Sequence, residues 1–251
     1  MLLLCAALCP ALLVAQDKTL LIAAAADLQP VLPKFVSNFE KNTGLQVKAS
    51  YESSATLATQ ILNGAPFDLF LAANRAFPQK VIDAGLAVEP QPITYARGIL
   101  VLWARSNILQ SPLTMQSLTA ASVHRIAVAN PVHAPYGTAA MAAIRSLGLT
   151  AILQPKLVFA ENIAQTAEFG HSGNAECALI SKTIAMTPAM QQTGSFIIVP
   201  ADTYPPLKQG AVILRNAANR QAAIDFLAYM QSNDGRNLLS ASGLEPPVRD
   251  R

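Results

Sequence analysis

Residues 20–26 (LLIAAAA) form a short unbroken apolar run, the mark of a strand buried on both faces. The period then changes. Leu28, Val31, Leu32, Phe35 and Phe39 fall on one face of a helix that Gly44 ends. Pro33 lies inside this pattern, where it has no N–H for the carbonyl of Gln29, and it predicts a distorted first turn. Val47, Ala49 and Tyr51 alternate as in a half-buried strand. Residues 55–62 return to helical spacing through Leu57 and Ile61 and stop at Asn63-Gly64; residues 67–73 (FDLFLAA) read as a strand, and residues 77–84 as a short helix closed by Gly85.

Pro90, Pro92 and Thr94 predict an irregular stretch before a strand at 99–104. The same grammar then repeats, with strands at 125–129, 157–160, 175–181 and 196–199 and helices at 138–147, 163–171 and 188–192. Residues 200–206 (PADTYPP) form a second irregular stretch before a strand at 210–215. Two helices follow, one lined by Ala223, Phe226, Leu227 and Met230, the other by Leu238 and Leu239. Strand–helix alternation of this kind predicts an α/β fold in which each of two lobes is a mainly parallel sheet flanked by helices. With the two irregular stretches as hinge crossings, residues 16–96 and 205–251 make lobe I and the inserted residues 97–204 make lobe II. A ligand cleft is expected between them.

Composition narrows the class. Apolar residues are 52% of the 251-residue chain, so a packed core is expected rather than disorder. The net charge is +3 and is spread along the chain; Lys and Arg never form a run of five, so nucleic acid is not an expected partner. Residues 1–15 (MLLLCAALCPALLVA) are apolar, uncharged and too short to span a bilayer, and end in Leu13-Val14-Ala15. They read as a signal peptide cut after Ala15, although no Lys or Arg precedes the apolar run. The alternatives are a buried first helix, which Pro10 opposes, and lipidation at Cys9, which lacks the small residue expected before it. After cleavage only Cys177 remains, in an apolar run where a small core residue is expected.

The chemistry concentrates where strands turn into helices. Strand 20–26 runs into Asp27, strand 47–51 into Ser53-Ser54, the strand ending at Ala129 into Pro135-Tyr136-Gly137-Thr138, and strand 157–160 into Glu161-Asn162. In parallel α/β sheets these turns gather at the carboxyl ends of the strands. Each presents free backbone N–H groups and the positive end of a helix dipole. One such turn usually does no more than cap its helix. Four facing one cleft would make a cage of neutral donors for an oxyanion.

The chain resembles the molybdate-binding proteins of bacterial ABC importers. The likeness rests on Ala25 to Leu28 (AADL), Ser53 to Leu57 (SSATL), Gly64 to Phe70 (GAPFDLF), Ala129 to Gly137 (ANPVHAPYG), Glu161 to Gln165 (ENIAQ) and Tyr204 to Ala211 (YPPLKQGA), in this order. The resemblance implies a two-lobed periplasmic receptor that closes on molybdate or tungstate and hands it to a membrane permease. It implies no cofactor, no catalysis and a monomer. Its anion contacts fall on Asp27, Ser54, the N–H of Tyr136, the N–H of Ile163, and Ser181. Two positions depart from the family's pattern. Asp27 stands where some members have Ser or Asn, and a carboxylate beside a dianion is repulsive unless it turns away or carries a proton. The expectation is that it caps its own helix. Ser181 stands where some members have a Tyr hydroxyl, which reaches further.

Neutral N–H and O–H donors suit a fully deprotonated ion and penalise one that keeps a hydroxyl. Two rival functions stay open. One is a receptor for another tetrahedral oxyanion of the sulfate or phosphate class, or for an organic acid; the latter would normally call for an Arg. The other is an enzyme on the same scaffold, for which only Asp27 offers a base. His124, His133 and His171 lack metal-ligand spacing. Trp103 is expected in core or hinge packing, and Arg97 and Arg105 at solvated strand ends.

Overall fold

Ten strands sort into two five-stranded sheets in the computed structural model, which describes residues 19–106, 108 and 112–247. The signal peptide expected at 1–15 lies outside the described residues. The first sheet joins β1 (Thr19–Ala25), β2 (Gln46–Glu52), β3 (Leu69–Ala72), β4 (Ile93–Gly98) and β10 (Leu207–Ile213), in the order β2-β1-β3-β10-β4. The second joins β5 (Leu100–Arg105), β6 (Ile126–Ala129), β7 (Leu157–Ala160), β8 (Cys177–Ser181) and β9 (Gly194–Ile198), in the order β7-β6-β8-β5-β9. Helices α1 (Leu32–Thr43), α2 (Ser54–Leu62) and α3 (Ala76–Asp83) accompany the first sheet, as do α9 (Arg220–Gln231) and α10 (Asn233–Ala241). Helices α4 (Pro135–Ser146), α5 (Thr150–Leu153), α6 (Ile163–Ser172), α7 (Lys182–Ala185) and α8 (Pro188–Thr193) lie between strands of the second in chain order.

Each sheet is mixed rather than mainly parallel. β1 pairs in parallel with β2 and β3, and β6 with β7 and β8, while β10 and β5 run antiparallel to both neighbours. The reason lies in the crossings. β1, β2 and β3 end where the two halves meet, as do β6, β7 and β8. β5 and β10 begin there, because each follows a crossing, so each must run against its neighbours. The stretch expected to be irregular before residue 99 contains β4, which pairs with β10 through Gly98. The chain therefore leaves the first sheet at Ile99 in a single step. The return spans Val199 to Pro206, and the Tyr204 hydroxyl ties the two crossings by accepting the Leu100 N–H at 3.2 Å.

Local chemistry explains most element ends. Pro33 sits in the first turn of α1, where its missing N–H breaks no helical bond, and a separate 3-10 turn at Ala26–Leu28 precedes the helix. Gly44 takes φ 71° at the carboxyl end of α1, a conformation that suits glycine. The two faces of the first sheet bury separate clusters, with Phe35, Phe39, Phe226 and Met230 on one and Leu57, Ile61 and Val81 on the other. In the second sheet Trp103 is fully buried and donates its indole N–H to the Met190 carbonyl at 3.0 Å. Gly194 makes room for it, since a Cβ there would fall 2.3 Å from the indole ring. Cys177 is buried in β8, and burial pushes its thiol up to about 12, consistent with a core residue. No helix among the described residues is long and apolar enough to cross a membrane.

Phe226 is fully buried and meets Phe39 edge-on at 5.1 Å. Phe226→Ala is expected to remove about 3–5 kcal/mol of stability, with unchanged steepness of unfolding, by equilibrium urea denaturation.

Candidate functional site

The four strand-to-helix turns singled out in the sequence meet at one small cavity between the sheets. Asp27, Ser53, Ser54, Pro135, Tyr136 and Ile163 are among its walls. Asp27 and Ser54 come from the first half of the molecule, Tyr136 and Ile163 from the second. Asp27, Ser54, Tyr136 and Ile163 are all buried.

Adjacent serines at the start of α2 divide two tasks. Ser53 is the helix cap, its hydroxyl accepting the Thr56 N–H at 3.1 Å. Ser54 is the first helical residue, and its hydroxyl accepts the Ala73 N–H at 3.0 Å. A hydroxyl oxygen fixed in this way still has its hydrogen to donate. Tyr136 and Ile163 occupy the first turns of α4 and α6, where backbone N–H groups have no partner within the helix. Asn162 caps α6 by accepting the Gln165 N–H at 3.0 Å. Gly137 lets α4 start close against β6, because a Cβ there would lie 2.0 Å from the Ala129 carbonyl oxygen. Among the described residues no Lys, Arg or His lines the cavity.

Ser181 does not line the cavity. It ends β8 and caps α7, with its hydroxyl 2.8 Å from that of Thr183 and accepting the Ile184 N–H at 3.4 Å. A strand that turns into a helix at its own last residue uses the serine hydroxyl for the turn. Its neighbour Thr183 reaches across instead and donates to the Asp27 carbonyl at 2.7 Å.

Asp27 does not cap its own helix either. Ala25 holds the cap position of the 3-10 turn, and the Asp27 carboxyl turns towards β10, where Gln209 Nε2 lies 2.5 Å from Oδ2. Gln209 sits at a register shift between β10 and β4, a bulge that re-aims a side chain. Its Nε2 also lies 3.4 Å from the Tyr136 hydroxyl. Gly98 permits this arrangement, since a Cβ there would stand 2.2 Å from that hydroxyl. Asp27, Gln209 and Tyr136 thus form a buried polar cluster joining the two halves. Asp27 Oδ1 and Gln209 Oε1 have no hydrogen-bond partner within it. Burial raises the Asp27 carboxyl to about 7, against smaller opposing effects of hydrogen bonds from Gln209, Tyr136 and its own backbone. Burial and the nearby Asp27 hold the Tyr136 hydroxyl well above its ordinary range, so it stays neutral.

Sequence reasoning missed Gln209 as a site residue, although it lies in a segment that carried the resemblance. It also missed Glu52, which lines the cavity mouth and accepts from Asn162 Nδ2 across the cleft at 3.3 Å. The Ala55 N–H donates to the His133 carbonyl across the same cleft at 3.2 Å. His133 pairs with Glu161 at 2.8 Å on the exposed rim. Arg97 pairs with Glu245 at 3.5 Å, and Arg105 caps the end of α6 by donating to the Gly170 and His171 carbonyls. Among the described residues no cluster of His, Cys, Asp and Glu is arranged to hold a metal ion.

Residues 20–245 match the family described as bacterial extracellular solute-binding proteins, and the chain belongs to that family. Among curated relatives it is 35% identical over 230 residues to the molybdate-binding protein ModA of Azotobacter vinelandii, covering 91% of this chain and 90% of that protein. It is 32% identical over 221 residues to ModA of Rhodobacter capsulatus, covering 88% and 86%. The solved structure of the A. vinelandii periplasmic molybdate-binding protein superposes with a TM-score of 0.84 at 30% identity, over 91% of this chain and all of that one. The two-lobed architecture is that of this family.

Asp27 gives the fold a pH dependence. Below about pH 4 folded and unfolded chains both carry its proton. Between about 4 and 7 the unfolded chain loses the proton and the folded chain keeps it, so stability falls as pH rises through this window. The loss is on the order of 4 kcal/mol by pH 8. Asp27→Asn keeps the shape without the titration. Its melting temperature relative to the parent is expected to rise steadily from pH 4 to pH 7 and then level off, as read by calorimetric melting in a pH series.

Proposed function

We propose that this chain is an extracytoplasmic receptor that binds molybdate or tungstate between its two lobes and delivers it to an ABC permease. The observation that carries the reading is the convergence of helix starts from both halves on one buried cavity that no cationic side chain lines. A tetrahedral dianion entering such a space loses strong hydration, and amide and hydroxyl donors must replace it. Ser54 offers its hydroxyl, Tyr136 and Ile163 their N–H groups, and Asp27 closes the wall beside them. Positive helix ends favour the anion without a counter-charge. The names of the A. vinelandii and R. capsulatus relatives support molybdate as the ligand. Tungstate has the same charge and tetrahedral shape. The receptor acts as a monomer, without cofactor and without catalysis, and is exported by the apolar segment at 1–15.

Closure supplies the signal. The bonds from Ala55 to His133, from Asn162 to Glu52 and from Thr183 to Asp27 all cross the cleft, so they exist only when the lobes are together. An anion touching both walls shifts the population towards that state, which a permease can read.

Calorimetric titration with molybdate, tungstate, sulfate and phosphate tests the assignment. Tight binding of the first two and weak or absent binding of the others is expected; tight sulfate binding with none of molybdate would move the protein to the sulfate class. Ile163→Pro removes one proposed N–H contact, together with part of a buried apolar side chain. Proline is tolerated at the first helical position, and Asn162 before it is already extended at φ −142° and ψ 177°. The variant is expected to fold and to bind molybdate roughly 10- to 100-fold more weakly, the worth of one hydrogen bond to a charged group.

A further inference from the structure

The site contains a feature that the receptor reading does not require, a carboxyl group buried at the wall of an anion cavity. We propose that Asp27 enters the closed, loaded site as the neutral acid, so that binding of a dianion takes up as much as one proton from solution. The proposal rests on the molybdate reading and specifies the chemical state of the site that accepts the ion.

The geometry supports it in three ways. First, Asp27 is 0% exposed in the closed form, and its neighbours come from both lobes: Gln209 on β10, Tyr136 on α4 and Thr183 on α7. Separating the lobes removes Tyr136 from beside the carboxyl and Thr183 from the Asp27 main-chain carbonyl, so full burial of the residue belongs to closure. Second, the groups facing it are neutral or acidic. Besides Gln209 and Tyr136 they are the buried Tyr95 of β4, whose hydroxyl feels the Asp27 charge, and Glu52 of β2, which shares the cavity wall. Among the described residues no Lys, Arg or His is one of the groups that act on it. Third, Oδ1 has no partner, and an ionised carboxylate leaves that oxygen's full charge unanswered in a buried place. Burial already raises the empty site's carboxyl to about 7, and a double negative charge alongside raises it further. Proton balance is simple. At pH 7 the free receptor holds Asp27 largely ionised when open and about half ionised when closed and empty, the loaded complex holds the acid, and the buffer supplies the difference.

The experiment is calorimetric titration of the mature protein with molybdate at pH 7, in two buffers of different ionisation enthalpy. The slope of observed heat against buffer enthalpy counts the protons taken up. Between about half a proton and one proton per anion is expected, and affinity should weaken as pH rises, by about tenfold per pH unit where the count is one. Asp27→Asn should bring the count to about zero. His124→Gln, at the opposite end of β6 from the cavity, should leave it as in the parent. As a second measurement, the carboxyl carbon of Asp27, read by NMR in labelled protein, should titrate at higher pH in the molybdate complex than in the free protein. Equal heats in both buffers would overturn the proposal and leave the receptor assignment standing. So would uptake that survives Asp27→Asn, which places the proton on the anion or on another group. Absence of any molybdate or tungstate binding by the parent protein overturns both.

Discussion

The structure depends on a substitution of solvent. A small dianion in water is surrounded by dense hydrogen-bond donors, and a dry cavity is habitable only if the protein supplies comparable ones. Backbone N–H groups at helix starts are the most economical source, because helical geometry leaves them without internal partners and already points them along the axis. That requirement dictates much of the architecture. Parallel strands must end at the cleft so that the following helices begin there. Ser53 must cap α2 so that the hydroxyl of Ser54 is spared, and position 137 must be glycine so that α4 can start close against its strand.

Much of this was legible in the chain. Apolar runs located the buried strands, and the residues between strand and helix located the turns, because a strand on the period of two and a helix on 3.6 leave an unambiguous seam between them. Asp27, Ser54, Tyr136 and Ile163 meet as a wall because each lies at such a seam. Strand β4 escaped notice because Pro90 and Pro92 precede it and its sequence, ITYARG, has no clean alternation. The mixed character of the sheets was hidden for a different reason. Strand direction is set by which side of the molecule the chain enters from, and no residue encodes it locally.

The orientation of side chains at the site was the least legible feature. Ser181 ends a strand, as expected, but its hydroxyl is taken up by the next turn of chain. Asp27 looked like a helix cap because most aspartates at strand-to-helix turns are caps. Its carboxyl goes instead to Gln209, which lies 182 residues away, at a bulge that no local pattern announces. Long-range partners of this kind are invisible to periodicity, which reads faces and not neighbours. Gln209 lay within a recognisable segment, but the residue type alone did not mark it as a partner for a buried acid.

The placement of the single tryptophan has a practical consequence. Trp103 donates to Met190 and packs against Gly170 and Gly194, all from the same half of the molecule. Its surroundings therefore stay the same whether the lobes are apart or together. Indole emission should follow the melting of the second sheet faithfully and remain nearly silent while the receptor opens and shuts. An optical assay of ligand capture needs a reporter introduced at the rim, where residues from the two halves approach and part.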